Sequence, residues 1–212
     1  MSDKPYILGL DEVGMGCLAG PVVSCGLLVP VDWKLDGLRD SKKFTKLAEK
    51  TQRAVLDKLN EQIESKQIGF CIAERSNGKV DSLGIIPALK ETYEEIFQHL
   101  YRPDCKIILD GLSKFDKLGG DDYDIEWIVK ADAKFPAVMA ASILAKTYRD
   151  NKMKIFHEIH PEYGWYNNVG YGTKDHLEAI QKHGGSPLHR WSFAPLKDMV
   201  MGDTQLSFKG LK

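Results

Sequence analysis

A chain of 212 residues, 43% hydrophobic and 28% charged, has room for one α/β domain with a substantial core. No apolar run reaches the roughly 18–20 residues that a bilayer span needs. The opening M-S-D-K-P-Y has neither the basic nor the apolar segment of a secretion signal, so a cytoplasmic protein with no membrane segment is expected. A formal net charge of −1 excludes a global pull toward polyanions and leaves that task to local basic patches and metal ions. Cys17, Cys25, Cys71 and Cys105 are widely spaced without a C-x-x-C pair, and they read as buried free thiols rather than a zinc site or disulfides.

Tyr6 to Leu10 reads as a first strand, and Gly20 to Val29 as a second apolar run paired with it through a glycine turn. Asp40-Ser41-Lys42-Lys43 leads into a helix expected over Thr45 to Ser65, with Leu47, Val55, Leu56, Leu59 and Ile63 at helical spacing. Gln67 to Ala73 reads as a short strand. Leu83 to Leu100 is the clearest helix, with Ile86, Leu89, Tyr93, Ile96, Phe97 and Leu100 on one face. Lys106 to Leu109 is a buried β-branched strand, and Tyr123 to Lys130 a more open one. A long helix opens at Pro136, carries the small residues Ala137, Ala140, Ala141 and Ala145, and stops before Pro161. A Gly/Tyr/Asn-rich loop from Tyr163 to Thr173 precedes a helix over Asp175 to His183. Strands and helices followed by helices alone describe an α/β sheet with a helical C-terminal extension. Residues 1–201 read as one domain, with C-terminal helices from about 161, and 202–212 as a flexible tail.

Three strand ends share one pattern: the apolar run stops and a carboxylate follows. They are Leu10-Asp11-Glu12, Leu109-Asp110-Gly111 and Val129-Lys130-Ala131-Asp132. In α/β sheets ligands bind at the carboxyl ends of strands, where separate strand ends converge. Carboxylates meeting there cannot all ionise without a cation, and hard divalent ions take oxygen ligands. Taken singly, each acid also fits a helix cap or a turn, Asp110-Gly111 above all. Neighbouring strand residues face opposite sides, so Glu12 joins Asp11 in one site only if the strand turns at Val13-Gly14.

The motifs G-L-D-E-V-G-M-G-C-L-A-G-P-V-V, D-S-K-K, I-I-L-D-G, V-K-A-D-A-K-F-P-A-V-M-A-A-S-I-L-A-K-T-Y-R-D, G-Y-G-T-K-D-H-L and H-R-W-S-F-A-P stand in this order from about Leu8 to Lys197. In these blocks the chain resembles the bacterial ribonuclease HII family, the type 2 ribonucleases H. The resemblance implies a ribonuclease H-like mixed β-sheet flanked by helices. It implies Asp11, Glu12, Asp110 and Asp132 as catalytic acids that hold two metal ions, Mg²⁺ or Mn²⁺. The implied reaction is endonucleolytic hydrolysis of the RNA strand of RNA–DNA hybrids, leaving 3′-hydroxyl and 5′-phosphate ends, in DNA replication and repair. The substrate would be an RNA–DNA hybrid or ribonucleotide-containing DNA, and the protein a monomer. Tyr171 lies where the family sets a tyrosine against the sugar after the ribonucleotide; by itself it reads as a packed loop aromatic.

The residues add their own reasons. Gly14 and Gly16 allow backbone to approach a 2′-hydroxyl in a hybrid's minor groove. Lys42 and Lys43 with Lys46, Lys146 with Arg149, and His189 with Arg190 suit phosphates, although each cluster also fits a solvated face. The family's Gly-Arg-Gly-Pro is here Gly14-Met15-Gly16-Cys17. Met15 offers no guanidinium, so the expected enzyme cuts runs of ribonucleotides and handles single ones poorly. Ala131 replaces a usual glycine, a change expected to be tolerated. Gln205-Leu206-Ser207-Phe208 loosely resembles a peptide that binds a bacterial sliding clamp. Two competing readings are a metal-dependent DNA nuclease of the same fold and a non-catalytic hybrid-binding protein.

Overall fold

The computed structural model describes residues 4–39, 41–113, 115, 118 and 123–199, with the side chains of Ser41 and Lys42 outside that description. Residues 205–208, the clamp-like peptide, lie outside it as well. The chain runs β1 (Tyr6–Val13), β2 (Val22–Pro30), α1 (Ser41–Phe44), α2 (Glu49–Glu64), β3 (Gly69–Arg75), α3 (Asn77–Leu83), α4 (Ile85–Leu100), β4 (Cys105–Asp110), β5 (Ile125–Ile128), α5 (Pro136–Ile159), α6 (Trp165–Asn168) and α7 (Lys174–His183). The sheet order is β3-β2-β1-β4-β5. β1 pairs antiparallel with β2 and parallel with β4, and β4 parallel with β5. The expected mixed sheet with flanking helices is what forms.

Two compact units make up the described chain. One holds residues 4–13, Val23–Glu74 and Leu89–Tyr148; the other holds Gly14–Val22, Arg75–Ala88 and residues 149–199.

In the first unit, side-chain parity assigns each sheet face to its own helices. Val23, Cys25, Leu27 and Val29 of β2 join Val55 and Leu59 of α2 and Ala137, Ala140, Ala141 and Leu144 of α5 in one core cluster. On that face α5 comes so close that a Cβ on Gly9 would lie 2.6 Å from the Val138 nitrogen and 2.7 Å from the Ala137 Cβ. The alanines of α5 make this approach possible. On the opposite face Gly26 packs against Ile96 and Leu100 of α4 and against Leu10. Each leucine buried in this way, such as Leu8 or Leu10, contributes about 1.5–3 kcal/mol.

The second unit has its own core of Leu18, Ala19, Met153, Tyr163, Trp165, Ile180 and Leu196. A bridge between Ala19 and His189, and hydrogen bonds from Leu18 N to the Gly170 carbonyl and from Arg190 N to the Leu18 carbonyl, tie its segments together.

Three elements depart from expectation, the first being the short helix α6 within the span expected as a loop from Tyr163 to Thr173. The helix expected over Thr45 to Ser65 begins only at Glu49, because Ala48 is extended at φ −57°, ψ 141° and has no capping side chain. Helix α3 was not legible: Ser76 caps it by accepting from Lys79 N, yet Val80 is its one buried residue among those described. All four cysteines are free thiols. No described helix is long and apolar enough to cross a membrane.

Candidate functional site

β1 does not turn at Val13-Gly14 but stays paired through Val13, with Asp11 opposite Cys25 and Glu12 opposite Ser24. The two acids therefore leave the strand on opposite faces. Asp11 points to the α5 side and accepts a hydrogen bond from the Ser142 side chain there. Glu12 points to the α4 side, where Tyr93 donates its hydroxyl to Glu12 Oε2. One step beyond the Leu10–Leu109 pair of the parallel strands comes Asp110, on the same face as Asp11. Asp110 Oδ1 accepts from the Ala131 amide at 2.6 Å, which fastens the end of β4 to the 3-10 turn Ala131–Ala133 that carries Asp132. The turn begins after Lys130, which is left-handed at φ 59°, ψ 42°.

All four acids are half-buried. Burial, then Glu12 and more weakly Asp110, push the Asp11 carboxyl up to about 7, against the hydrogen bonds from Ser142 and the Glu12 backbone. The Tyr93 hydroxyl is pushed well above its ordinary value by burial first and Glu12 second. A donor set made only of carboxylate oxygens, in which burial first and the Glu12 charge second work against ionised Asp11, fits a hard divalent cation. Among the described residues, however, no three His, Cys, Asp or Glu side chains already form a metal cage. Although Asp11 and Glu12 face opposite sides of the strand, the Glu12 charge still raises the Asp11 carboxyl, so the two acids act on each other without the turn that was expected to bring them together.

The glycine turn belongs to the second unit, and its path is set by two buried arginines. Arg149 donates from Nε to the Pro21 carbonyl (2.9 Å), from Nη2 to Ala19 (2.9 Å) and from Nη1 to Val169 (2.8 Å). Arg190 donates from Nε to the Gly20 carbonyl (3.0 Å) and from Nη1 to Met15 (3.0 Å). Its Nη2 is buried with no partner among the described residues. Burial, with Arg149 beside it, pulls the Arg190 guanidinium down to about 10. Gly14 needs its missing side chain: φ is +91°, and a Cβ would meet the Arg149 Nε and lie 2.8 Å from the Pro21 carbonyl. Gly16 is exposed, with open space where a Cβ would stand, and Met15 is half-buried.

The residues singled out as phosphate or sugar contacts have several fates. Tyr171 is 42% exposed, with its hydroxyl donated to the Cys17 sulfur and its carbonyl accepting from His176 Nδ1 at 2.8 Å. His189, Arg190 and Arg149 are 0% exposed. They bond inward to the second unit's own chain, so any effect they have on a phosphate passes through that backbone. Lys43 is exposed and Lys146 half-buried, both in the first unit. Lys42 has its side chain outside the described residues. Sequence reasoning missed Tyr93 and Ser142, which hold the first two acids. A tyrosine in an apolar helical stripe was the available signal, since a buried phenol needs a hydrogen-bond partner.

The fold agrees with what known proteins show. The family model described as ribonuclease HII matches residues 8–196. The ribonuclease HII of Hydrogenovibrio crunogenus is 40% identical over 195 residues, which cover 92% of this chain and 88% of that protein. Among solved structures, the ribonuclease H2 of Pyrococcus horikoshii superposes with a TM-score of 0.71 at 20% identity, covering 92% of this chain and 96% of its own. The ribonuclease HII of Archaeoglobus fulgidus, solved in complex with PCNA, gives 0.64 at 22% identity, over 87% and 93%. Bst-RNase HIII, solved in complex with Mn²⁺, gives 0.56 at 17%, over 95% and 71%. These three structures share the fold. The family model and the bacterial relative go further, and by them this chain belongs to the ribonuclease HII family of endoribonucleases.

Proposed function

We propose that this chain hydrolyses the RNA strand of RNA–DNA hybrids at a site built from Asp11, Glu12, Asp110 and Asp132, which would hold two ions of Mg²⁺ or Mn²⁺. The observation that supports the reading is the adjacency of Asp11 and Asp110 one step beyond the last parallel pair, Leu10–Leu109, with Asp132 following Ala131, whose amide is bonded to Asp110. The metal dependence of the family accords with this donor set. The chemistry that two such ions bring to a phosphodiester is Lewis acidity at the attacking and leaving oxygens, leaving 3′-hydroxyl and 5′-phosphate ends. The protein's part is to hold the carboxylates ready: Ser142 orients Asp11, and the Ala131 amide occupies one oxygen of Asp110. Gly14, Met15 and Gly16, which follow Glu12 almost directly in the chain, would offer backbone to the 2′-hydroxyl that distinguishes RNA from DNA. Tyr171 would meet the neighbouring sugar, and Lys42, Lys43 and Lys146 the phosphates. Removal of RNA from DNA during replication and repair is the corresponding role.

The test compares cleavage of an RNA–DNA hybrid, duplex DNA and duplex RNA with Mg²⁺ or Mn²⁺. Cleavage of the hybrid's RNA strand alone is expected, and cleavage of duplex DNA would favour a same-fold DNA nuclease. Asp132→Asn should abolish cleavage while hybrid binding persists; retained cleavage would remove Asp132 from the site. The archaeal relative's complex with PCNA supports a further reading, that residues 205–208 engage a sliding clamp. Pull-down of a bacterial clamp by the full chain, but not by a chain ending at Met201, is the expected result.

A further inference from the structure

Tyr93 is 0% exposed, and Glu12 is its one hydrogen-bond partner among the described residues. A phenol buried without a partner loses its hydration with no return, so the tie to Glu12 is not optional for the folded chain. The ring cannot swing away. Phe115 meets it edge-on with centroids 5.7 Å apart at 81°, and Trp127 lies 6.4 Å from it.

The helix is fixed beside it as well. The Thr92 hydroxyl donates to the Leu89 carbonyl at 2.6 Å and so accepts from Ser24, also at 2.6 Å. Ser24 is the strand partner of Glu12. A buried hydroxyl pair thus pins α4 to the sheet next to the carboxylate that Tyr93 holds.

We propose that Tyr93 is a positioning residue for metal binding, fixing the rotation of the Glu12 carboxylate before a cation arrives. The inference rests on reading Glu12 as a metal ligand. A glutamate has three rotatable bonds, and an oxygen already held by a rigid donor has less freedom to lose when the metal binds. Partners of this kind change metal affinity by about 10- to 100-fold when removed.

The experiment titrates the full-length protein with Mn²⁺ alone and follows free Mn²⁺ by electron paramagnetic resonance, with a thermal melt for each variant. Tyr93→Phe keeps the ring and should raise the Mn²⁺ Kd about tenfold or more. Tyr163→Phe, which removes a hydroxyl bonded to the Gly184 carbonyl in the second unit, should leave that Kd unchanged. In a Glu12→Gln background, adding Tyr93→Phe should change the Kd less than about twofold, a coupling that general loosening would not produce. Should Tyr93→Phe fail to fold, Tyr93→Met removes the same donor while leaving an apolar side chain. An unchanged Kd for Tyr93→Phe, or an equal loss in both backgrounds, overturns the proposal and leaves the four-acid site intact. Failure of the wild type to bind Mn²⁺, or indifference of its Kd to Asp11→Asn, instead overturns the site, and this proposal with it.

Discussion

The Nε2 of His189 lies 3.1 Å from the Nε2 of His176, and the surrounding groups decide which of them carries the proton. His176 Nδ1 faces the Tyr171 carbonyl and must donate, leaving its Nε2 to accept from Trp165 Nε1 at 3.0 Å. His189 Nδ1 accepts from the Ser186 amide, so its proton sits on Nε2 and points at His176. The chain of donors ends on the backbone of Tyr171.

Neither imidazole can take a second proton without setting donor against donor. Burial first, and then His176, bring His189 down to about 4, and burial lowers His176 as well. In the unfolded chain both titrate near 6.5. Above that pH both imidazoles are neutral in either state; below it the unfolded state takes up more protons at them, so their contribution to stability falls as pH drops from about 6.5 toward 4. Asp11, raised to about 7, gains its proton in the folded state over the same range and works in the opposite direction, so the melts belong in an Asp11→Asn background. There, thermal melts between pH 7.5 and 4.5 should show this decline, and His189→Gln should flatten it. An identical slope in the variant would remove the histidines as its source.

The two glycines of the turn should separate folding from substrate contact. Gly14→Ala forces an L-residue to a φ of +91° against Arg149 and the Pro21 carbonyl, and should cost about 1–3 kcal/mol or more. Gly16→Ala adds a methyl to open space at ordinary backbone angles, and should change stability by less than about 0.5 kcal/mol. If backbone at Gly16 approaches the hybrid, Gly16→Ala raises KM for it while the melting temperature stays put.

Loss of the Arg190 side chain leaves the Gly20 and Met15 carbonyls without their donor. At about 1–3 kcal/mol for each unsatisfied group, Arg190→Ala should lower the melting temperature by roughly 5–10 °C. A lysine presents a single ammonium where a planar fork met two carbonyls, so Arg190→Lys should recover only part of the loss.

Substrate choice is tested at Met15. Its carbonyl is held by Arg190, but its side chain is half-buried and open to exchange. Met15→Arg should improve incision at a single embedded ribonucleotide relative to a longer RNA tract, measured as the ratio of kcat/KM on the two substrates. Equal rates on both by the wild type, or an unmoved ratio in the variant, would refute the multi-ribonucleotide preference.

Much of this architecture was legible because it depends on local pattern. The apolar run that stops at Asp110 is a strand end, while β1 continues past Asp11 to Val13 and Asp132 stands on a 3-10 turn beyond the end of β5. Helix α5 begins at Pro136 as a first-turn proline requires. The late start of α2 after Ala48 and the helix over Asn77–Leu83 were hidden because neither rests on periodic burial. His189 and Arg190 looked like a surface pair for phosphates, since sequence gives charge but not depth. Their carbonyl and imidazole partners lie far off in the chain, from Met15 to His176. Tyr93 was read only as one of a helical stripe, and its hydroxyl acquires a role only when α4 is laid over Glu12.

The five hydrogen bonds from Arg149 and Arg190 all end on main-chain carbonyls, four of them within residues 15–21. A carbonyl is the same whatever side chain its residue bears, so the clasp is blind to sequence. Substitutions at Met15 or Cys17, where the family's usual arginine and proline are absent, leave it nothing to notice. Mutational drift can therefore rewrite what the turn displays while its course through space is inherited intact. Changes in substrate taste along this lineage need not have been bought with a refolded loop.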